Sequence, residues 1–80
     1  MTKSVFTSAY HIFLEELICA RKEKNMTQEQ LAKKLKKPQS YISKYESGER
    51  RLDVLETREI LKKMGIFPLH FWRDLEKKLK

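Results

Sequence analysis

The amino-acid sequence predicts an all-α fold of five short helices in a single domain spanning residues 1–80. Three observations predict it. Apolar residues recur three and four apart along the chain, and no stretch alternates strictly over strand length. Glycine and proline number two each, too few for a fold rich in β-hairpins. Two polar pairs three residues apart, Thr27 with Gln30 and Asp53 with Glu56, have the capping-box pattern that opens a helix. At 80 residues the chain is near the lower end of what a hydrophobic core alone can hold folded.

Residues 1 to 7 offer little beyond Lys3 and the apolar pair Val5 and Phe6, read either as a frayed tail or as an arm that packs on a partner. Thr7 or Ser8 can cap a first helix running to about Lys24, with Tyr10, Phe13, Leu14, Leu17, Ala20 and Arg21 on one face. Arg21 on an inward face requires a partner, because a lone buried guanidinium is very unfavourable. Ile18 and Cys19 extend the apolar surface beyond one stripe, toward the last helix or another subunit. A second helix begins at about Gln28, its apolar positions being Leu31, Ala32 and Leu35. Pro38 cannot continue it but suits the first turn of a third helix, from about Gln39 to Ser47, with Gly48 as a left-handed stop. The Asp53 capping box opens a fourth helix ending near Met64 and Gly65. Its core face is assigned to Val54, Leu55, Ile60, Leu61 and Met64, interrupted by Thr57 and Arg58. The last helix follows Pro68 and reaches about Leu79, carrying Leu69, Phe71, Trp72, Leu75 and a Lys-rich end that complements the helix dipole.

The third helix carries the functional signal. Only Ile42 and Tyr45 are spaced to point inward, which leaves Gln39, Ser40, Tyr41, Ser43 and Lys44 as a polar face. A solvated face in so basic a chain would more often hold Glu and Lys. Uncharged hydrogen-bonding groups suit base edges in a major groove, where glutamine pairs with adenine through two bonds. The net charge is +7, and the segment from 21 to 52 carries ten Lys or Arg against four acids. Lys33, Lys34, Lys36 and Lys37 read either as a solvated face or as the electrostatic footprint of a phosphate ligand. Arg50 and Arg51 follow Gly48, where a DNA backbone would pass.

These residues carry a resemblance. Residues 27–48 resemble the helix-turn-helix of the XRE family, the fold of phage Cro and lambda repressor. The agreement lies in Gln28 and Gln39 opening successive helices, Ala32 at the helix crossing, Ile42 and Tyr45 as anchors, and the run Tyr45-Glu46-Ser47-Gly48. Similarity extends from about residue 17 to residue 66. The resemblance implies a lambda-repressor-like five-helix domain that binds double-stranded DNA as a transcriptional regulator. It also implies an ion pair between Arg21 and Glu46. Gln39, Ser40 and Lys44 would then read bases, with Tyr41 and Ser43 at the periphery. Gln28, Lys37, Arg50 and Arg51 would meet phosphates. Two positions depart from the family pattern. Lys36 stands where Gly is usual, so a non-glycine residue is expected at positive φ at a cost of about 1 kcal/mol, and Leu52 stands where Pro is usual.

Phe67, Phe71 and Trp72 are more aromatic surface than a terminal helix needs. Part is expected to fill the core and part to form a two-fold interface, with Phe71, Trp72 and Leu75 as candidates for a homodimer. A second reading, from another class, is an antitoxin-like or adaptor module that contacts a protein partner through the same aromatic helix. No acid pair, nucleophile beside a histidine or Gly-rich phosphate loop points to an enzyme. No cofactor or small-molecule ligand is expected. Nor is a metal, since His11 and His70 lack ligand spacing and Cys19 is a single cysteine. With no signal-peptide core and no apolar run long enough to span a bilayer, the expected location is the cytoplasm.

Overall fold

Thr7 starts the first helix: its hydroxyl accepts the Tyr10 N–H at 3.0 Å, and helix α1 runs Ser8–Glu23. In this computed structural model, which describes residues 7–80, four more helices follow: α2 Gln28–Leu35, α3 Gln39–Ser47, α4 Val54–Lys63 and α5 Pro68–Leu79. The reading of residues 1 to 6 as a tail or an arm lies outside the described residues. Among those described there is no strand, and no helix is long and apolar enough to cross a membrane.

Each helix boundary has a local cause. Both expected capping boxes form: Thr27 and Gln30 close one across the start of α2, and Asp53 and Glu56 close the other at α4. Helix α2 ends where Lys36 turns left-handed at φ 58°. There the Lys36 N–H donates to the Lys33 carbonyl and the Lys37 N–H to the Ala32 carbonyl, a Schellman closure made without the usual glycine. Gly48 at φ 89° ends α3, and Gly65 at φ 78° follows α4. Pro68 occupies the first turn of α5.

One apolar cluster joins all five helices. Phe13, Leu14 and Leu17 from α1 meet Leu31 and Ala32, Ile42 and Tyr45, Ile60, Leu61 and Met64, and Phe71 and Leu75. The small Ala32 side chain lets α2 and α3 cross closely, and α1 packs along both α3 and α5. Tyr45 is almost completely enclosed, and burial pushes its phenol pKa far above the ordinary value.

Two parts of the core differ from the sequence expectation. Val54 and Leu55 are 61% and 71% exposed, whereas Thr57, expected to interrupt the core face, is buried. The α4 stripe is Thr57, Ile60, Leu61 and Met64, spaced three and four apart, and Val54 and Leu55 sit in a first turn that none of the described residues buries. Thr57 is accommodated because its hydroxyl donates to the Asp53 carbonyl at 2.9 Å, so no polar group is left bare. The second difference concerns the proposed interface. Phe71 and Leu75 are core residues with 6% and 4% exposure, and Trp72 is half-buried, stacked on Phe13 with the rings 4° from parallel. They are committed to packing α5 on α1, so Phe71 and Leu75 cannot face another subunit without opening the core. Besides Val54 and Leu55, the large apolar side chains exposed among the described residues are Phe67 and Leu69 at the start of α5 and Leu79 at its end. Ile18 stays half-buried and Cys19 exposed, its thiol 3.7 Å from a Glu23 carboxylate oxygen.

Candidate nucleic-acid interface

The α2–turn–α3 unit is held against the scaffold by a buried ion pair. Arg21 on α1 donates from Nε to one Glu46 oxygen at 2.8 Å and from Nη2 to the other at 3.1 Å. The two side chains are only 10% and 6% exposed. The third donor of the fork, Nη1, reaches the Met26 carbonyl at 2.8 Å, in the loop between α1 and α2. One guanidinium therefore fixes the end of α3 and the entry to α2 at once, with its charge matched and each of its three nitrogens bonded.

The polar face of α3 is outward, as required of a ligand-contacting surface. Gln39, Ser40 and Lys44 are exposed, and Tyr41 and Ser43 are half-buried. Ser43 spends its hydroxyl proton on the Ser40 carbonyl one turn back, at 3.3 Å. Tyr41 lies edge-on to Tyr45, with the Lys37 ammonium 5.1 Å and the Arg50 guanidinium 4.9 Å from its ring centre. Partial burial, and after it the Glu56 charge, raise its phenol pKa, so Tyr41 stays a neutral hydroxyl. Tyr41 thereby ties Lys37 in the turn and Arg50 in the following loop to the recognition surface.

The remaining expected contacts are placed unevenly around this face. Gln28 is half-buried and already engaged, donating to Glu46 at 2.9 Å and accepting from Gln39 at 3.3 Å. Arg50 is exposed, yet its Nη2 is 2.8 Å from Glu56, whose carboxyl also accepts the Asp53 N–H. That pairing holds the Glu56 carboxyl below the usual carboxylate range, Arg50 being the larger cause and Asp53 the next. Arg51 stacks over Tyr10 with 4.2 Å between guanidinium and ring centre, and the Tyr10 hydroxyl accepts the Leu52 N–H. The expected basic loop is thus clipped to α1 and α4. Sequence reasoning missed this, since Tyr10 and Leu52 lie 42 positions apart and nothing local marks the pair. The opposite charges of Arg50 and Glu56, across a short loop, were the one available signal.

A family model described as helix-turn-helix matches residues 20–70. The structure also superposes on an XRE-family like protein from Pseudomonas syringae pv. tomato str. DC3000, with a TM-score of 0.87 and 36% sequence identity, over 98% of this chain and 95% of that one. The chain belongs to the XRE family. Comparison with curated proteins gives no match. As an XRE-family chain it carries the DNA-binding helix-turn-helix, and the matched residues 20–70 include α2 and α3.

Proposed function

We propose that this XRE-family chain is a sequence-specific regulator of transcription, of prokaryotic or phage type, that inserts α3 into the major groove of double-stranded DNA. The observation that carries this reading is the exposed, mostly uncharged face of Gln39, Ser40 and Lys44, with Lys37, Arg50 and Arg51 around it. Gln39, Ser40 and Lys44 read base edges, and Tyr41 and Ser43 touch bases or backbone at the margin. Lys37, Arg50 and Arg51 bind phosphates, and Gln28 reaches a phosphate with the N–H that Glu46 leaves unused. Arg50 must exchange Glu56 for a phosphate when DNA arrives. No enzymatic step is part of this reading.

The protein works as a homodimer whose two α3 helices enter successive major-groove faces about 34 Å apart. The surface best suited to the two-fold contact is the end of α5 that carries Phe67 and Leu69, beside a groove of about 690 Å³ that Trp72 and Arg58 also line. Selecting bound duplexes from a random library tests the whole reading. A palindromic consensus with half-sites about one helical turn apart is expected. With about six phosphates neutralised, log K on that consensus should fall against log salt with a slope of about −5. Recovery of no consensus, with all duplexes bound equally, would rule out sequence specificity. A protein captured through Phe67 and Leu69, with no duplex selected, would support the adaptor reading instead.

A further inference from the structure

Both arginines of the loop between α3 and α4 rest against an aromatic ring. The Arg50 guanidinium carbon is 4.9 Å from the ring centre of Tyr41 on α3, and that of Arg51 is 4.2 Å from the ring centre of Tyr10 on α1. The Lys37 ammonium, from the turn before α3, is 5.1 Å from the centre of the same Tyr41 ring. The rings are themselves held, Tyr41 edge-on against the buried Tyr45 and Tyr10 against Phe13 with 5.4 Å between centres. The loop backbone is tied as well. The Tyr10 hydroxyl accepts the Leu52 N–H at 3.2 Å, and the Arg50 backbone N–H donates to the Lys44 carbonyl at 3.1 Å.

A ring and a carboxylate hold an arginine in different ways. Glu56 engages Arg50 through Nη2, a donor that a phosphate also needs. A ring attracts the guanidinium through its flat face and uses no N–H, so the in-plane fork can meet a phosphate while the ring contact stays in place. An arginine that swings freely loses rotamer freedom when a phosphate captures it, whereas a seated one has lost much of that freedom beforehand. The rings therefore favour the backbone contact with which Glu56 competes. We propose that Tyr41 and Tyr10 are positioning residues for the DNA backbone: Tyr41 seats Lys37 and Arg50, Tyr10 seats Arg51, and the cations meet phosphates as a preset group. The proposal rests on the reading of these cations as phosphate contacts. It gives α1 a part in DNA binding, and the role of the Tyr41 ring is separate from any contact its hydroxyl makes at the margin of the groove.

The test measures affinity on the selected duplex and on a random one, each across a salt series. Arg50→Ala and Arg51→Ala check the underlying reading: each should weaken both duplexes and make the salt slope shallower by about 0.9, one phosphate's share. Tyr41→Leu should weaken both duplexes alike, about fivefold because it releases two cations, and Tyr10→Leu about threefold. The salt slope should stay nearly unchanged in both leucine variants, because the cations reach the same phosphates from a less ordered start. Tyr41→Phe keeps the ring and should recover the loss. Tyr41→Leu should cost nothing further in a chain already carrying Lys37→Ala and Arg50→Ala, nor should Tyr10→Leu in one carrying Arg51→Ala. In the unaltered free protein, the Arg50 and Arg51 side-chain proton resonances should show upfield ring-current shifts. Unshifted resonances overturn the seating, whether or not the leucine variants fold. A leucine loss confined to the selected duplex, or one that persists in the alanine backgrounds, overturns it while leaving the arginines as phosphate contacts. If neither arginine variant changes the salt slope, the reading of the cations and the proposal fall together.

Discussion

Removing the Glu46 carboxylate should come close to unfolding the protein, far beyond the effect of an ordinary surface charge. The Arg21 and Glu46 side chains are 10% and 6% exposed, so water and salt screen them little. Glu46→Ala leaves the Arg21 guanidinium enclosed, with the Met26 carbonyl as its remaining hydrogen-bond partner among the described residues. Breaking a buried pair on one side costs about 3 to 5 kcal/mol. A chain of 80 residues has roughly 4 to 12 kcal/mol of total stability. At about 4 to 8 °C per kcal/mol for a domain of this size, the melting temperature should fall by about 12 °C or more. Urea titration followed by far-ultraviolet circular dichroism measures the loss. A cycle with Arg21→Met, Glu46→Leu and the double variant isolates the coupling, expected at about 2 kcal/mol or more, with the double variant regaining much of the lost stability. A single-variant cost under about 1 kcal/mol, or a coupling near zero, would show that the pair does not tie α1 to α3.

Three further outcomes follow from particular contacts. Glu56→Gln keeps the α4 capping box, because an amide oxygen can still accept the Asp53 N–H, but frees Arg50; DNA affinity should rise while the salt slope stays nearly unchanged in a titration series, because Arg50 meets the same phosphate whether or not it must first leave Glu56. Lys36→Gly relieves a lysine held at φ 58° and should raise stability by up to about 1 kcal/mol, whereas Gly65→Ala, in open space but at φ 78°, should lower it by about 1 kcal/mol, both read from urea midpoints. The buried Tyr45 phenol keeps its proton in the fold at a pH where the unfolded chain loses it. Its contribution is therefore complete below pH about 10 and is lost as pH rises above that value. Alkaline melting curves should show this decline, and Tyr45→Phe should flatten it.

Most of the fold was legible because its boundaries are local. Thr27 with Gln30, Asp53 with Glu56, Pro38, Gly48 and Pro68 each act within a few positions of themselves, and all mark helix ends in the structure. The core was harder to read wherever apolar residues exceed what a helix face can bury. Val54 and Leu55 are apolar by type and exposed by position, because the packed stripe of α4 is set by which residues meet α2 and α5. Thr57 was misread for the converse reason, since its hydroxyl is satisfied within its own helix. At α5, spacing alone could not tell which aromatic rings α1 would take, and the stacking of Trp72 on Phe13 decided it. The site residues were recognisable one by one from their types. Their links were not: Gln28 lies 18 positions from Glu46 and 11 from Gln39, and those distances close only once α2 and α3 cross at Ala32.

The measurement that bears most directly on the central claim is the ratio of affinities of the unaltered chain and of Gln39→Ala on the selected duplex and on a random one. Base reading by Gln39 predicts a loss of about 1 to 3 kcal/mol on the selected duplex and little on the random one. Equal losses on both, or none on either, would contradict base reading by the glutamine end of α3.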